Sequence, residues 1–156
     1  MKVIEKLWNW YLSANALPYW VILAIDILIC YFSGIFVFWL YYHGAVAFGN
    51  IALLSKTIFV YMIFNLIGFK LFHTYAGIVR YSSFVDLQRV GLAMLLSWVI
   101  AEGMHYVIYY WDLNFIRLEG RQIAAMYLVA TIGMISFRIV VKSLYDVVFS
   151  TDNAMR

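Results

Sequence analysis

Four long apolar stretches separated by short polar segments dominate the hydropathy pattern of this chain. The stretches cover about 18–42, 51–72, 87–111 and 123–144. At 1.5 Å of rise per residue, about 20 helical residues cross a hydrocarbon core ~30 Å thick. The polar segments at 43–50, 73–86 and 112–122 are short, so consecutive spans are expected to be antiparallel. The pattern predicts an all-α membrane protein whose domain, 18–145, is an antiparallel bundle of four transmembrane helices.

The two ends of the chain differ from this central region. Within 1–17, apolar and aromatic positions fall on one helical face and lysine, glutamate and asparagine on the other. This pattern is typical of a short amphipathic helix lying in the membrane interface. Residues 146–156, after the fourth apolar stretch, are predicted to form a cytoplasmic tail.

Composition supports membrane insertion and argues against nucleic-acid binding. Charged residues make up 12% of the chain, whereas soluble domains contain about 25%. Hydrophobic residues make up 66%. The net charge of +3 comes from scattered basic residues, with no basic patch or basic helix. The lipid bilayer is therefore the expected partner, and nucleic acid is not.

The distribution of basic residues predicts the orientation of the bundle. Lysine and arginine are enriched in cytoplasmic segments of membrane proteins. With the N-terminus inside, eight basic residues lie on the cytoplasmic side or at inner helix ends, and three lie outside. The eight are Lys2, Lys6, Lys70, Arg80, Arg89, Arg138, Lys142 and Arg156, and the three are Lys56, Arg117 and Arg121. Both termini are therefore predicted to be cytoplasmic.

Ionisable residues inside the spans are candidates for a structural or functional role, because a charge at the bilayer centre costs roughly 2.5–3.5 kcal/mol on insertion scales. Asp26 lies in the first span and Arg138 lies at comparable depth in the fourth. We predict that they form an ion pair, which would offset both desolvation costs. A role in a proton pathway and snorkelling without contact remain open alternatives.

Glu102 and His105 lie three residues apart on the third span and share a helix face. Glu-x-x-His is a ligand motif of di-iron bundles, but those sites use two such motifs and further glutamates. The chain has only one such motif, so no metal ligand is assigned here. In the alternative that we prefer, Glu102 approaches Lys56 and His105 makes a polar contact near the outer interface.

Small residues recur every four positions on the third span, at Ala93, Ser97 and Ala101. Such spacing lets helices approach closely. Packing within the bundle and self-association are both open at this point. Asn65 on the second span could form a hydrogen bond across helices.

The segment Phe72–Arg89 connects the second and third spans. Ser83 followed by Asp86 has the [ST]-x-x-[DE] pattern that caps a helix N-terminus. Arg80 and Arg89 would lie at the anionic inner leaflet, each contributing roughly 1 kcal/mol of attraction. From these residues alone, the segment is a basic, capped turn.

The sequence pattern of this segment resembles that of one protein family. It reads F-x-x-Y-x-G-x-x-R-Y-S-S-x-x-D-L-x-R, with matching residues Phe72, Tyr75, Gly77, Arg80, Tyr81, Ser82, Ser83, Asp86, Leu87 and Arg89. This pattern is similar to that of the membrane-bound polysaccharide-biosynthesis nucleotide-sugar epimerase/dehydratase family, of the CapD, WbpM and PglF type. The resemblance implies a bacterial inner (cytoplasmic) membrane, UDP-sugar substrates and an NAD(P)-dependent catalytic domain. It further implies homo-oligomers, and partners among polyprenyl-phosphate lipids or polysaccharide-assembly enzymes.

The chain lacks the features by which that family would bind its cofactor. It contains no G-x-G-x-x-G, and no lysine follows a tyrosine at the Y-x-x-x-K spacing. Without such glycines the backbone cannot approach a pyrophosphate at a helix N-terminus. No catalytic or cofactor-binding residue is assigned, and the chain is expected to anchor a catalytic domain that is not part of it. The alternatives are the membrane region of a polyprenyl-phosphate sugar-phosphate transferase and a small lipid-binding or transport module.

Overall fold

A computed structural model describes residues 19–74, 84–111 and 114–154, with side chains for 20–42, 49–74, 84–111 and 114–143. In this part of the chain there are four α-helices and no strand. The helices are α1 (Tyr19–Gly49), α2 (Ile51–Leu71), α3 (Phe84–Tyr110) and α4 (Gly120–Ala154). The predicted interfacial helix at 1–17 lies outside the described residues.

Each of the four helices contains a segment long and apolar enough to cross a membrane. These segments are Trp20–Tyr42, Ile51–Leu71, Phe84–Tyr110 and Gly120–Ser143. An α-helix suits this environment because it satisfies its backbone N–H and C=O groups internally where no water is available. The predicted all-α membrane fold with four spans is confirmed.

Two helices extend beyond the apolar stretches that predicted them. α1 continues through the predicted connection 43–50 as far as Gly49, and α4 continues through most of the predicted tail to Ala154. Hydropathy marks where a helix leaves the hydrocarbon, whereas the helical hydrogen bonds continue in water until a residue or contact ends them. The candidate spans overlap the four predicted apolar stretches, whereas the helices α1 and α4 end farther along the chain than those stretches.

The four helices form a closed ring. α1 packs against α2, α2 against α3, α3 against α4, and α4 returns to α1. The interior is filled mainly by aliphatic, aromatic and methionine side chains. Its most deeply buried large members are Tyr61, Phe69, Ile22, Leu54, Ile58, Met94, Ile108, Ile123 and Met134.

The outer surface of the ring is also apolar. Phe32, Phe59, Leu95 and Leu128 are each more than half exposed, and each lies within a membrane-length segment. A water-soluble protein rarely shows so large a continuous apolar surface. Lipid chains can cover it, which agrees with the membrane fold.

The end of α2 is closed by a Schellman motif, in which two backbone bonds reverse the chain. The His73 N–H donates to the Lys70 carbonyl oxygen, and the Thr74 N–H donates to that of Phe69. His73 has φ of 48°, the left-handed conformation that glycine usually occupies at this position. The motif ends α2 at the start of Phe72–Arg89, the segment whose sequence pattern resembles the family.

The connection from α3 to α4 folds back onto the start of α2. The Ile116 N–H donates to Thr57 Oγ1 at 3.0 Å, and Lys56 Nζ donates to the Asn114 carbonyl oxygen at 3.4 Å. The Lys56 ammonium also lies 4.6 Å from the centroid of the Phe115 ring. These contacts attach the connection to the bundle.

Candidate functional site

The main polar contact inside the bundle joins the first and last helices. Arg138 Nη2 on α4 donates to Asp26 Oδ2 on α1 at 2.8 Å. The two side chains are only 3% and 0% exposed, respectively. The structure thus brings together the two intramembrane charges that the sequence analysis paired. Snorkelling of Arg138 to the interface is incompatible with this burial.

The burial of this pair determines what it can do chemically. Two opposite charges in direct contact largely neutralise each other, so the bundle interior carries no net charge at this level. Removing one partner would leave the other charge buried, which is far more costly than never having had the pair. The geometry suits a structural ion pair that holds α1 and α4 together better than it suits a ligand-binding site.

A second polar contact lies one helical turn along α1 from Asp26. Asn65 Nδ2 on α2 donates to Cys30 Sγ at 3.3 Å, and both residues are buried. Asn65 thus forms the cross-helix contact that its position in a span suggested. Tyr31 and Ser55 form a further hydroxyl–hydroxyl bond of 2.9 Å between the same helices.

The small residues of α3 pack against α2. Ala93, Ser97 and Ala101 are all fully buried. Ser97 Oγ lies 2.8 Å from the Ala93 carbonyl oxygen and 3.1 Å from that of Phe64 on α2. Of the two roles left open above, packing within the bundle is the one that the structure shows for this stripe. A self-association surface would need other residues.

The structure does not bring Glu102 and Lys56 together. Glu102 Oε1 accepts a hydrogen bond of 3.1 Å from Trp98 Nε1 on its own helix. Lys56 instead contacts the α3–α4 connection, as described above. His105, half-buried, packs edge-on against the Tyr106 ring, and the two ring centroids are 5.4 Å apart. The contacts that the structure shows for Glu102 and Lys56 are thus with Trp98 and with the α3–α4 connection, and not with each other.

Metal binding finds no support in the described part of the chain. No group of three or more histidine, cysteine, aspartate or glutamate side chains comes close enough there to hold a metal ion. Glu102 and His105 remain an isolated pair on one helix.

The family-like segment is described only at its two ends. α3 begins at Phe84, directly after Ser83, and Asp86 lies in its first turn. Arg89 Nη1 lies 3.5 Å from Asp86 Oδ1, a loose ion pair within one turn of helix. The predicted inner-leaflet residues Arg80, Tyr81 and Ser83 lie outside the described residues.

An apolar groove of about 360 Å³ runs between α3 and α4. Leu95, Leu128 and Ile132 on its rim are more than half exposed, so the groove opens on the outer surface of the ring. Gly91 is one of its lining residues, and a Cβ atom added there would meet no other atom within 4 Å. Its volume and lining suit a hydrocarbon chain.

Two sets of buried polar residues were not predicted from the sequence. Thr57 was not singled out, although a threonine inside an apolar span commonly serves as a hydrogen-bonding residue. Tyr61 and Tyr127 were not singled out either, and both are buried in the interior. For Tyr61 the available signal was its distance from the span ends, because membrane tyrosines usually lie at the interfaces. Tyr127 lies too near the start of the predicted span 123–144 for this signal to apply.

Comparison with protein-family models, curated proteins and solved structures gives no match to this chain.

Proposed function

We propose that this chain is the membrane-anchoring domain of a capsular or O-antigen polysaccharide-biosynthesis enzyme, a nucleotide-sugar 4,6-dehydratase or epimerase. The domain would hold a catalytic part at the cytoplasmic face of the bacterial inner membrane, where UDP-sugars are available. NAD(P) would bind in that catalytic part. The substrate class and the cofactor come from the resemblance of Phe72–Arg89 to this family.

The observation that carries the anchoring role is the nature of the bundle interior. Its intramembrane acid and base, Asp26 and Arg138, are in contact with each other. The cavity between Cys30, Tyr61 and Tyr127 measures about 10 Å³, far too small for a sugar nucleotide or a lipid headgroup. In the part of the chain that the structure describes, these two features support an anchor over a transport pathway.

The proposal includes an antiparallel bundle with both termini in the cytoplasm. Asp26 near the start of α1 contacts Arg138 in the middle of α4, whereas Gly34, farther along α1, lies against Met126 near the start of α4. This order of contacts supports opposite directions for α1 and α4. The excess of basic residues on the predicted inner side supports the orientation.

A second candidate function is the binding of a membrane lipid, supported by the groove between α3 and α4. Its hydrocarbon lining and its opening on the lipid-facing surface suit an acyl or polyprenyl chain. Lipid binding of this kind is compatible with anchoring. Filling the groove with Gly91→Leu should reduce photocrosslinking of a diazirine-labelled lipid to Trp98, while Gly103→Leu, at an open position elsewhere on α3, should leave it unchanged.

The anchoring proposal is tested first by reading the encoding gene beyond Arg156. A glycine-rich strand–helix fingerprint is expected to follow. The full-length product should then convert a UDP-sugar in the membrane fraction, and deletion of 1–156 should move that activity to the soluble fraction. A re-entrant hydrophobic segment after Arg156 would instead assign the chain to a polyprenyl-phosphate sugar-phosphate transferase.

A further inference from the structure

A small cavity lies inside the bundle and is lined by residues of all four helices. Its volume is about 10 Å³, and residues of α1, α2 and α4 contribute its polar lining. These residues are Cys30, Tyr61, Asn65 and Tyr127, and each is no more than 5% exposed. Apolar atoms of Met62, Met94 and Met126 complete the wall.

Three polar atoms of these lining residues have no hydrogen-bond partner within the described residues. They are the hydroxyl oxygens of Tyr61 and Tyr127 and the side-chain oxygen Oδ1 of Asn65. Asn65 uses its amide nitrogen for the contact with Cys30, so its oxygen is still available. A buried polar atom left without a partner costs roughly 1–3 kcal/mol. Three such atoms around one cavity therefore need a common explanation.

We propose that this cavity binds a single structural water molecule that bridges α2 and α4. A buried water needs about 10–15 Å³ of probe-occupied space and typically makes about three hydrogen bonds. The cavity provides the space for one molecule, and the three atoms provide the partners. The amide oxygen accepts from the water, and each tyrosine hydroxyl either donates to it or accepts from it.

The position of this site gives the water a structural consequence. Asn65 on α2 also contacts Cys30 on α1. The water and its partners therefore form one hydrogen-bonded group that connects α1, α2 and α4. Cys30 lies one turn from Asp26, and the water site therefore continues the polar contacts that begin at the Asp26–Arg138 pair. This inference is independent of the proposed anchoring role, because it depends only on the bundle interior.

Radiolytic footprinting tests the proposal directly. X-ray pulses split bound water into hydroxyl radicals, which oxidise the side chains beside it even where bulk water has no access. Met126 lines the cavity, whereas Met134, two turns farther along α4, is buried and does not. In the wild-type bundle, held in lipid nanodiscs, Met126 should be oxidised several-fold faster than Met134. Equal rates at the two methionines would overturn the proposal.

Conservative variants show whether the polar atoms hold the water. The double variant Tyr61→Phe/Tyr127→Phe keeps both rings but removes two of the three partners, so oxidation of Met126 should fall to the rate of Met134. Tyr31→Phe is the matched control, since its hydroxyl contacts Ser55 away from the cavity, and it should leave Met126 unchanged. Oxidation of Met126 that stays fast in the double variant would refute the assigned partners. Misfolding would be recognised by fast oxidation of Met134 as well.

Discussion

At the scale of single residues, the Asp26–Arg138 pair is the most consequential contact. Each side chain alone would be a costly charge in a low-dielectric interior, and their mutual contact offsets much of that cost. The pair also joins the first and last helices, 112 residues apart in sequence. Its effect on stability should therefore depend strongly on whether one partner or both are removed.

A double-mutant cycle measures this coupling. Asp26→Leu and Arg138→Met should each lower the free energy of unfolding by about 3–5 kcal/mol, because each leaves one buried charge without its counter-ion. The double variant should be more stable than either single variant, since no buried charge remains. Unfolding in mixed detergent micelles gives the three free energies. Strictly additive effects would show that the two residues are not coupled.

At the scale of elements, α2 and α3 approach closely where both carry small residues. Gly68 faces Ala93 and Ser97, and a Cβ atom at Gly68 would lie 2.8 Å from the Ala93 carbonyl oxygen. That oxygen belongs to the backbone of α3, so it cannot move aside as a flexible side chain could. Glycine at 68 is thus what sets the spacing of the two helices.

Gly68→Ala should destabilise the bundle by about 1–3 kcal/mol, since a methyl group there overfills the contact between α2 and α3. Gly103→Ala is the control on α3, because a Cβ there meets nothing within 4 Å. The control should be neutral or should stabilise by up to about 1 kcal/mol through helix propensity. Thermal unfolding in detergent, followed by circular dichroism, compares them. Equal effects of the two substitutions would contradict the close approach.

At the scale of the whole molecule, the ring of four helices is apolar both inside and outside. The outside must be covered by lipid, whereas the inside is covered by the helices themselves. Orientation in the membrane is decided by a different feature, the charges near the ends of the spans. The helical fold and the orientation of the chain in the membrane therefore depend on different residues and need separate experiments.

The predicted topology has both termini in the cytoplasm. A fluorescent reporter that folds only in the cytoplasm should be active when fused after Arg156. Alkaline phosphatase, active only outside, should be inactive there but active when fused after Arg117 in the α3–α4 connection. The reverse result would invert the orientation. The chain should also stay with the membrane fraction until detergent is added, and solubility in plain buffer would contradict the membrane assignment itself.

Part of the candidate site could be predicted from the sequence, because a charge buried in the membrane interior is stabilised in only a few ways. An aspartate and an arginine at similar depth in different spans have a strong energetic reason to meet, and Asp26 and Arg138 do. Glu102 and Lys56 lacked such a reason, since each could reach a closer partner. Trp98 lies one turn from Glu102 on the same helix, and the carbonyl of Asn114 lies within reach of Lys56. Neither contact can be predicted from the hydropathy pattern.

Four membrane-length helices were determined by the sequence alone, because the free energy of placing long apolar segments in lipid depends on composition and length and hardly on neighbours. Which faces of those helices meet was decided only in the tertiary structure. The close contact at Gly68, the use of Thr57 by a distant backbone amide and the grouping of Tyr61, Asn65 and Tyr127 around one cavity all depend on helix rotation. A sequence that is apolar on every side of its helices does not encode that rotation in its hydropathy, and packing between the helices has to select it.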